Sequence, residues 1–398
     1  WSPPEATEIA PVSPITGVVN KLALISEAQG IAHVYIAGHN PVARMDKLAD
    51  MRMGLRNASG GKGVSDAQAR VSALCEALER YSGEFSGGEI RVKRAFRDWP
   101  AGEAIDPNDV MGYSQQQYAD KAAWDARQSH FNRVPEPFDD AVPVDWTPIW
   151  SLTHQRHKYL PTQLLYCRAP ATAGDDTFYC FGCSNGNASG NTLEEAILQG
   201  FFELVERDAV ALWWYNRLPR PGVALESFAE PYLLELKDYY MRQHQRAIWA
   251  LDLTSDLGIP VFVAVSRVVG EDADELLIGM GCHLDARIAL QRAFAEMNQM
   301  LGMAQRGEHG KLVVEDPEVL NWLRTATLAN QPYCAADPAR PTKHFGEYPL
   351  QHSGDFLQDI AHCRRIVESQ GMEMLVLDQT RADVGLPAVK VVVPGLRH

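Results

Sequence analysis

The sequence predicts an α/β fold in which helix–strand units repeat within one chain around mixed β-sheets. Three observations predict it. Helix-like stretches alternate with β-branched runs. One helix–strand unit occurs twice, at Leu251-Asp252-Leu253-Thr254 and at Leu377-Asp378-Gln379-Thr380. A glutamate-bearing helical template occurs three times, over 69–80, 196–207 and 289–300.

In the twofold repeat a helical stretch comes first, around 232–244 and 356–368. The shared Leu-Asp-x-Thr follows, then a polar turn holding Asp256 or Asp383. Gly258-Ile259-Pro260 and Gly385-Leu386-Pro387 lead into the runs Val261-Phe262-Val263-Ala264-Val265 and Val389-Lys390-Val391-Val392-Val393. Turn chemistry accounts for the Gly and Pro. It leaves the Leu-Asp-x-Thr without an account, which favours an old duplication over coincidence of turns. Between these parts, 96–145 is rich in Pro, Asp, Gln and Trp and weakly periodic. It reads as a surface excursion that returns through a strand at Asp145-Trp146-Thr147-Pro148-Ile149-Trp150.

Composition narrows the function. The chain has 398 residues, 46% hydrophobic and 22% charged, ample to bury a core. A net charge of -14 with no basic run argues against nucleic acid as a partner. No segment reaches the ~18 apolar residues of a membrane span, and the apolar stretch 257–266 reads as a buried strand. Seven scattered cysteines suit a reducing cytoplasm. Cys180 and Cys183 form one C-x-x-C pair without the second pair or the histidines that zinc requires, and read as incidental. The chain begins at Trp1 rather than Met, so a segment is expected upstream.

The threefold template carries the chemistry. An Ala is followed three residues later by Ser72, Gln199 or Arg292, then by Glu76, Glu203 or Glu296, then by Glu79, Glu206 or Gln299. Spacings of three and four set these side chains on one helical face. Ser65 to Gln68 and Thr192 to Glu195 fit capping boxes, and Asp285 fits a cap for the third helix. In the middle helix Glu195, Gln199, Glu203 and Glu206 form a polar stripe among Phe201, Phe202, Leu204, Val205 and Trp213. Clustered carboxylates in a low dielectric must take up protons or be neutralised by cations. An all-oxygen set suits Mg2+, above all when phosphates complete its coordination. The competing account pairs these glutamates with arginines. Arg80 and Arg207 directly follow Glu79 and Glu206, so each is expected on a different face, with pairing left to other helices. Gly60-Gly61-Lys62-Gly63 and the stretch 185–191 read as small-residue loops able to approach phosphate, with Lys62 as a point charge. Neither is a Walker A motif.

Ser72-Ala73-Leu74-Cys75-Glu76-Ala77-Leu78-Glu79-Arg80 resembles the S-A-x-x-E-x-x-E-R signature of the YcaO-domain family. Glu203-Leu204-Val205-Glu206-Arg207, following Asn191 and Glu195, resembles it too. The resemblance runs from Ser13-Pro14-Ile15-Thr16-Gly17 to the C-terminus and implies one YcaO-type catalytic domain over 1–398. The stretch from Glu206 through Trp213-Trp214-Tyr215-Asn216 to Arg217 looks like the azoline-forming branch.

The resemblance implies ATP and Mg2+ as cofactors. It implies metal-side carboxylates at Glu76, Glu79, Glu195, Glu203 and Glu206. It implies nucleotide contacts at Lys62, Ser72, Asn191, Arg207 and Arg292. It further implies a cyclodehydratase acting on Cys, Ser or Thr of a precursor peptide and working in a complex. Its partners would be a leader-binding protein resembling ubiquitin-activating enzymes and a flavin-dependent azoline dehydrogenase. Two readings compete: a thioamide- or amidine-forming enzyme with the same ATP chemistry, and a nucleotide-binding accessory protein. Azoline-forming members usually continue into a proline-rich tail, so a segment after His398 is expected. No residue is assigned as general acid or base.

Overall fold

The computed structural model describes residues 12–13, 17–28, 31–40, 58–127, 133–170, 178–180, 182–270, 274–304, 312, 314 and 316–397. Pro14, Ile15 and Thr16 of the amino-terminal motif, 128–132 of the Pro/Trp-rich region and the terminal His398 lie outside the described residues.

Strands β1 (Val19–Ala28), β2 (Ala32–His39) and β3 (Ala58–Gly63) precede helix α1 (Asp66–Ser82). Then come β4 (Val92–Arg94) and the short helices α2 (Pro107–Met111), α3 (Gln115–Ala119) and α4 (Lys121–Asp125). Next are β5 (Val144–Ser151), β6 (Arg156–Pro161), α5 (Thr162–Leu165), β7 (Asn187–Ser189) and the long α6 (Leu193–Asn216). The rest alternates: α7 (Pro231–His244), β8 (Arg246–Asp252), β9 (Val261–Val268), β10 (Leu277–Cys282), α8 (Ala286–Leu301) and α9 (Pro317–Thr325). Finally come α10 (Phe356–Ser369), β11 (Leu375–Asp378) and β12 (Ala388–Val392).

The chain divides into two compact units, Trp1–Leu78 with Ala209–Ser353, and Glu79–Asp208 with Gly354–His398. The first unit holds two three-stranded sheets, β1-β2-β3 and β10-β9-β8, with antiparallel ladders. Helix α1 buries Ala73 and Ala77 against Val19 and Ala37 of the first sheet. The second sheet packs with α7 and α8 around Phe228, Leu236, Phe262, Phe294 and Met297. The apolar stretch of the sequence is here the buried strand β9.

The second unit is built on a sheet in the order β4-β5-β11-β12-β7, with β6 also pairing β5. The Pro- and Trp-rich region enters its packing. Phe96 stacks on the buried Trp146 at 5.8 Å between ring centroids, and the Trp146 Nε1–H donates to Arg94 O at 2.8 Å.

The twofold repeat is present as helix–strand–turn–strand in both units, α7-β8-β9 and α10-β11-β12. Its shared Asp and Thr have a local cause. The Asp252 carboxylate accepts from the Thr254 N–H and that of Asp378 from the Thr380 N–H, both at 2.9 Å. The Thr254 hydroxyl accepts from Val261 N–H at 3.4 Å, and the Thr380 hydroxyl from Ala388 N–H at 3.1 Å. Gly258 and Gly385 turn the chain at φ +68° and +71°. Turn chemistry thus does explain the shared Asp and Thr, and the argument for duplication built on their being unexplained is corrected. The missing piece was that Asp and Thr side chains bond backbone groups across the turn. Replacing Thr380 by Val keeps the shape and strands the N–H of Ala388, which is 2% exposed. Thr380→Val is expected to lower stability by about 1–3 kcal/mol, read as a shifted urea midpoint; an unchanged midpoint would deny the hydroxyl its role.

Candidate functional site

The three template segments are helices, and their leading Ala residues have a packing reason. Ala69, Ala196 and Ala289 are all fully buried. Each lies where a helix meets the strand before it. A Cβ on Gly61 of β3 would sit 2.1 Å from both Ala69 O and Ala73 N. One on Gly281 of β10 would sit 2.2 Å from Ala289 O and 2.5 Å from Ala293 N. In the second unit the small residue lies on the helix, where a Cβ on Gly200 would approach Gly186 O at 2.6 Å. The expectation of a glycine loop at 60–63 is therefore corrected: these residues are β3, and their glycines let a helix lie close on the strand. The stretch 185–191 is a tight turn followed by strand β7. Small residues hold one face of each helix to its sheet, and the acidic residues occupy other positions.

The helix starts follow the sequence with one variation. Ser65 Oγ accepts from Gln68 N–H at 3.3 Å, but the Gln68 amide oxygen returns to Val64 N–H at 3.0 Å. Thr192 Oγ1 accepts from Glu195 N–H at 3.2 Å, while the Glu195 carboxylate takes the backbone N–H and side-chain amide of Asn191 at 2.8 and 2.9 Å. Each box reaches one residue further back than the usual pattern. Two expected site residues, Asn191 and Glu195, are thereby brought together. Asp285 caps α8 by accepting from Arg287 N–H.

In the first unit, Lys62 on β3 meets two template helices. Its backbone N–H faces Ser72 Oγ at 3.4 Å, and its ammonium pairs with Glu296 at 2.6 Å. Glu296 is the missing member of the expected set. The template placed it at the position of Glu76 and Glu203, so its spacing was the signal. Arg292 donates to Cys282 O at 3.2 Å. Glu76 lies half-buried on α1.

In the second unit, Glu203, Glu206 and Arg207 are brought together on α6. Arg207 lies 3.7 Å from Glu203 and 3.3 Å from Glu206. The expectation that Arg207 could not serve its own helix is corrected. Four residues of separation is one helical turn, and a long guanidinium folds back far enough to reach a neighbouring carboxylate. Glu206 has a side chain only 11% exposed, so its charge requires compensation. Glu203 also accepts from Gly186 N–H at 2.9 Å. Glu79 is half-buried near the end of α1.

Among the described residues no three His, Cys, Asp or Glu side chains form a ready ligand group. The donor chemistry nevertheless fits a hard cation. The partly buried carboxylate oxygens of Glu203 and Glu206 are donors of the kind a hard cation takes, while Arg207 balances their charge as the competing account requires. Cys180, by contrast, is a packing residue. It is buried, its thiol faces Gln163 Oε1 at 3.6 Å, and burial pushes its pKa up to about 12.

The Trp213-Trp214 pair is structural. Trp213 is 1% exposed and donates from Nε1 to Tyr333 O at 3.1 Å, and Trp214 lies 4.9 Å from Trp322. Tyr215, next in the motif, is 71% exposed. No helix among the described residues is long and apolar enough to cross a membrane.

The chain is similar to known proteins in sequence and fold. The family model described as YcaO cyclodehydratase, ATP- and Mg2+-binding, matches residues 60–397. A heterocyclase solved in complex with substrate and cofactor is 44% identical, with a TM-score of 0.91 over 97% of this chain and 51% of its own. The heterocyclase TruD is 46% identical, with a TM-score of 0.74 over 82% of this chain and 45% of its own. An uncharacterised protein of Methanothermobacter thermautotrophicus is 28% identical across 84% of this chain and 80% of its own length. The chain thus spans about half the length of the two heterocyclases it matches. With the family match running from β3 to the last described residues, the chain belongs to the YcaO family of ATP- and Mg2+-binding proteins.

Proposed function

We propose that the chain is the ATP-using part of a peptide cyclodehydratase that converts Cys, Ser or Thr of a ribosomal precursor into thiazoline or oxazoline. The observation that carries this reading is the 44% identity, over 97% of the chain, to a heterocyclase solved with substrate and cofactor. The side chain of the modified residue attacks the preceding backbone carbonyl. The resulting oxyanion takes the γ-phosphoryl group of ATP, and ADP leaves. That attack has already closed the ring, and loss of the amide proton and of phosphate then forms its C=N bond. An amide oxygen is a poor leaving group, and phosphorylation makes it a good one.

The residues divide by chemistry. Glu76, Glu79, Glu195, Glu203 and Glu206 are the proposed metal-side carboxylates. Lys62, Ser72, Asn191, Arg207 and Arg292 are the proposed nucleotide contacts. Bound Mg2+ would supply charge neutralisation at the phosphates. Arg207 offers planar N–H donors suited to phosphate oxygens and already balances carboxylate charge on α6. Lys62 offers a compact charge, held in place by Glu296. We further propose that a leader-binding partner delivers the precursor and raises the effective concentration of its reactive residues.

The test follows an oxygen atom. With precursor, partner and ATP, substrate carrying heavy oxygen at the modified carbonyl is expected to give labelled phosphate, one label per ring. Label found only in water would mean that ATP drives a conformational step, and would favour the accessory reading. A product that gains sulfur rather than losing water would favour thioamide formation.

A further inference from the structure

Lys390 lies at the middle of β12, paired with Leu377 on one side and Asn187 on the other. It is 3% exposed. A buried ammonium is costly unless it is well bonded. Among the described residues it has no carboxylate within ion-pair distance. Its Nζ instead donates to two backbone carbonyls, Cys183 O at 2.6 Å and Asn185 O at 2.8 Å. An apolar residue would fill a central strand position at lower cost, so the cation calls for a reason.

The turn it grips supplies one. Asn187 N–H donates to Ser184 O at 2.8 Å, closing a four-residue turn with Asn185 and Gly186 at its centre. Gly186 has φ +81°, whereas Asn185 is not among the positive-φ residues. That combination is a type II turn. The peptide joining Asn185 to Gly186 is planar, so its C=O and N–H point in opposite directions. The C=O is held by Lys390, and the N–H donates to the Glu203 carboxylate at 2.9 Å. One peptide unit therefore joins an ammonium to a carboxylate, with a charge-assisted hydrogen bond at each end. Flipping that peptide, the motion that converts a type II turn into a type I turn, would break both bonds. Val391 N–H adds a third restraint on the turn, donating to Gly186 O at 2.8 Å.

We infer that Lys390 is a positioning residue for metal binding: it locks the Asn185–Gly186 peptide, which in turn orients the Glu203 carboxylate. This rests on the proposed metal role of Glu203. The hydrogen bond from Gly186 occupies one carboxylate oxygen and fixes the plane of the other. Such support behind a ligand governs metal affinity.

The experiment is a Mn2+ titration of the full chain by electron paramagnetic resonance, with a non-hydrolysable ATP analogue present. Lys390→Met is expected to weaken Mn2+ roughly 10-fold and to remove exchange protection from the Gly186 amide. Lys390→Gln, which keeps a donor without charge, is expected to fall between, and carries the test if the Met variant does not fold. The double variant with Glu203→Gln is expected to bind Mn2+ no more weakly than Glu203→Gln alone, because one effect acts through the other. Losses that multiply in the double variant would make Lys390 merely structural and overturn the inference. Unchanged affinity in Lys390→Met, with weakened binding in Glu203→Gln, would overturn it alone. Unchanged affinity in Glu203→Gln would overturn both the inference and the metal role of Glu203.

Discussion

Glu203→Gln and Glu76→Gln are each expected to reduce Mg2+-dependent ATP hydrolysis at least ~100-fold while leaving the fold intact. Each keeps the size of the side chain and an acceptor oxygen. In Glu203→Gln that oxygen still receives the Gly186 N–H. Each removes a negative charge that a hard cation needs. Arg207 makes the expected result sharper. In the wild-type chain it lies within ion-pair distance of Glu203 and Glu206, and Glu203→Gln removes one of those charges. The variant should therefore lose affinity for Mg2+ more than for nucleotide, because one negative charge that competes with phosphate for Arg207 is gone. Steady-state hydrolysis measured against Mg2+, then against ATP, separates the two. Wild-type rates in both variants would remove these glutamates from the site.

A large effect on the fold is expected at Gly281. A Cβ there would lie 2.2 Å from Ala289 O and 2.5 Å from Ala293 N, both backbone atoms of α8. Backbone cannot step aside as a side-chain tip can. To admit one methyl group, α8 must lift from β10, and the buried contacts of Ala289, Ala293 and Phe294 loosen with it. Gly281→Ala is expected to cost on the order of 3 kcal/mol or more. That is a large part of the stability of an ordinary domain. Gly346→Ala is the control, since its added Cβ meets nothing within 4 Å. Thermal unfolding of the two should differ widely, and matching midpoints would show that α8 has room to move.

Much of this was legible in the sequence. The template helices could be read because capping residues and 3.6-residue periodicity are local. The pairs β8-β9 and β11-β12 could be read because Gly-x-Pro turns flank β-branched runs. The glycines at 60–63 could not be read from local pattern. A glycine in a loop and one beneath a helix look alike until the partner backbone is known, and Gly61 meets a helix turn through space. The signal was the fixed spacing from Gly61 to Ala73, repeated from Gly281 to Ala293. The Arg207 pairs escaped because the reading used side-chain direction at Cα and ignored the reach of a long side chain. Glu296 escaped because its partner, Lys62, is distant in sequence.

The position of β12 bears on how the chain is made. In the second unit, among the described residues, β7 pairs only with β12, and Asn187, Ala188 and Ser189 find their partners in Lys390, Val389 and Ala388. β11 likewise waits for β12 on one edge. On a ribosome adding about 5–20 residues per second, β7 emerges tens of seconds before the strand that covers it. Throughout that interval the nascent sheet exposes an unpaired edge, and the Ser184–Asn187 turn lacks the ammonium of Lys390. Such pairing between distant segments folds slowly and is open to aggregation. Strand β12 thus closes a sheet whose other strands are made before it, and a chain halted anywhere before Ala388 would leave the β7 and β11 edges open to chaperones and proteases.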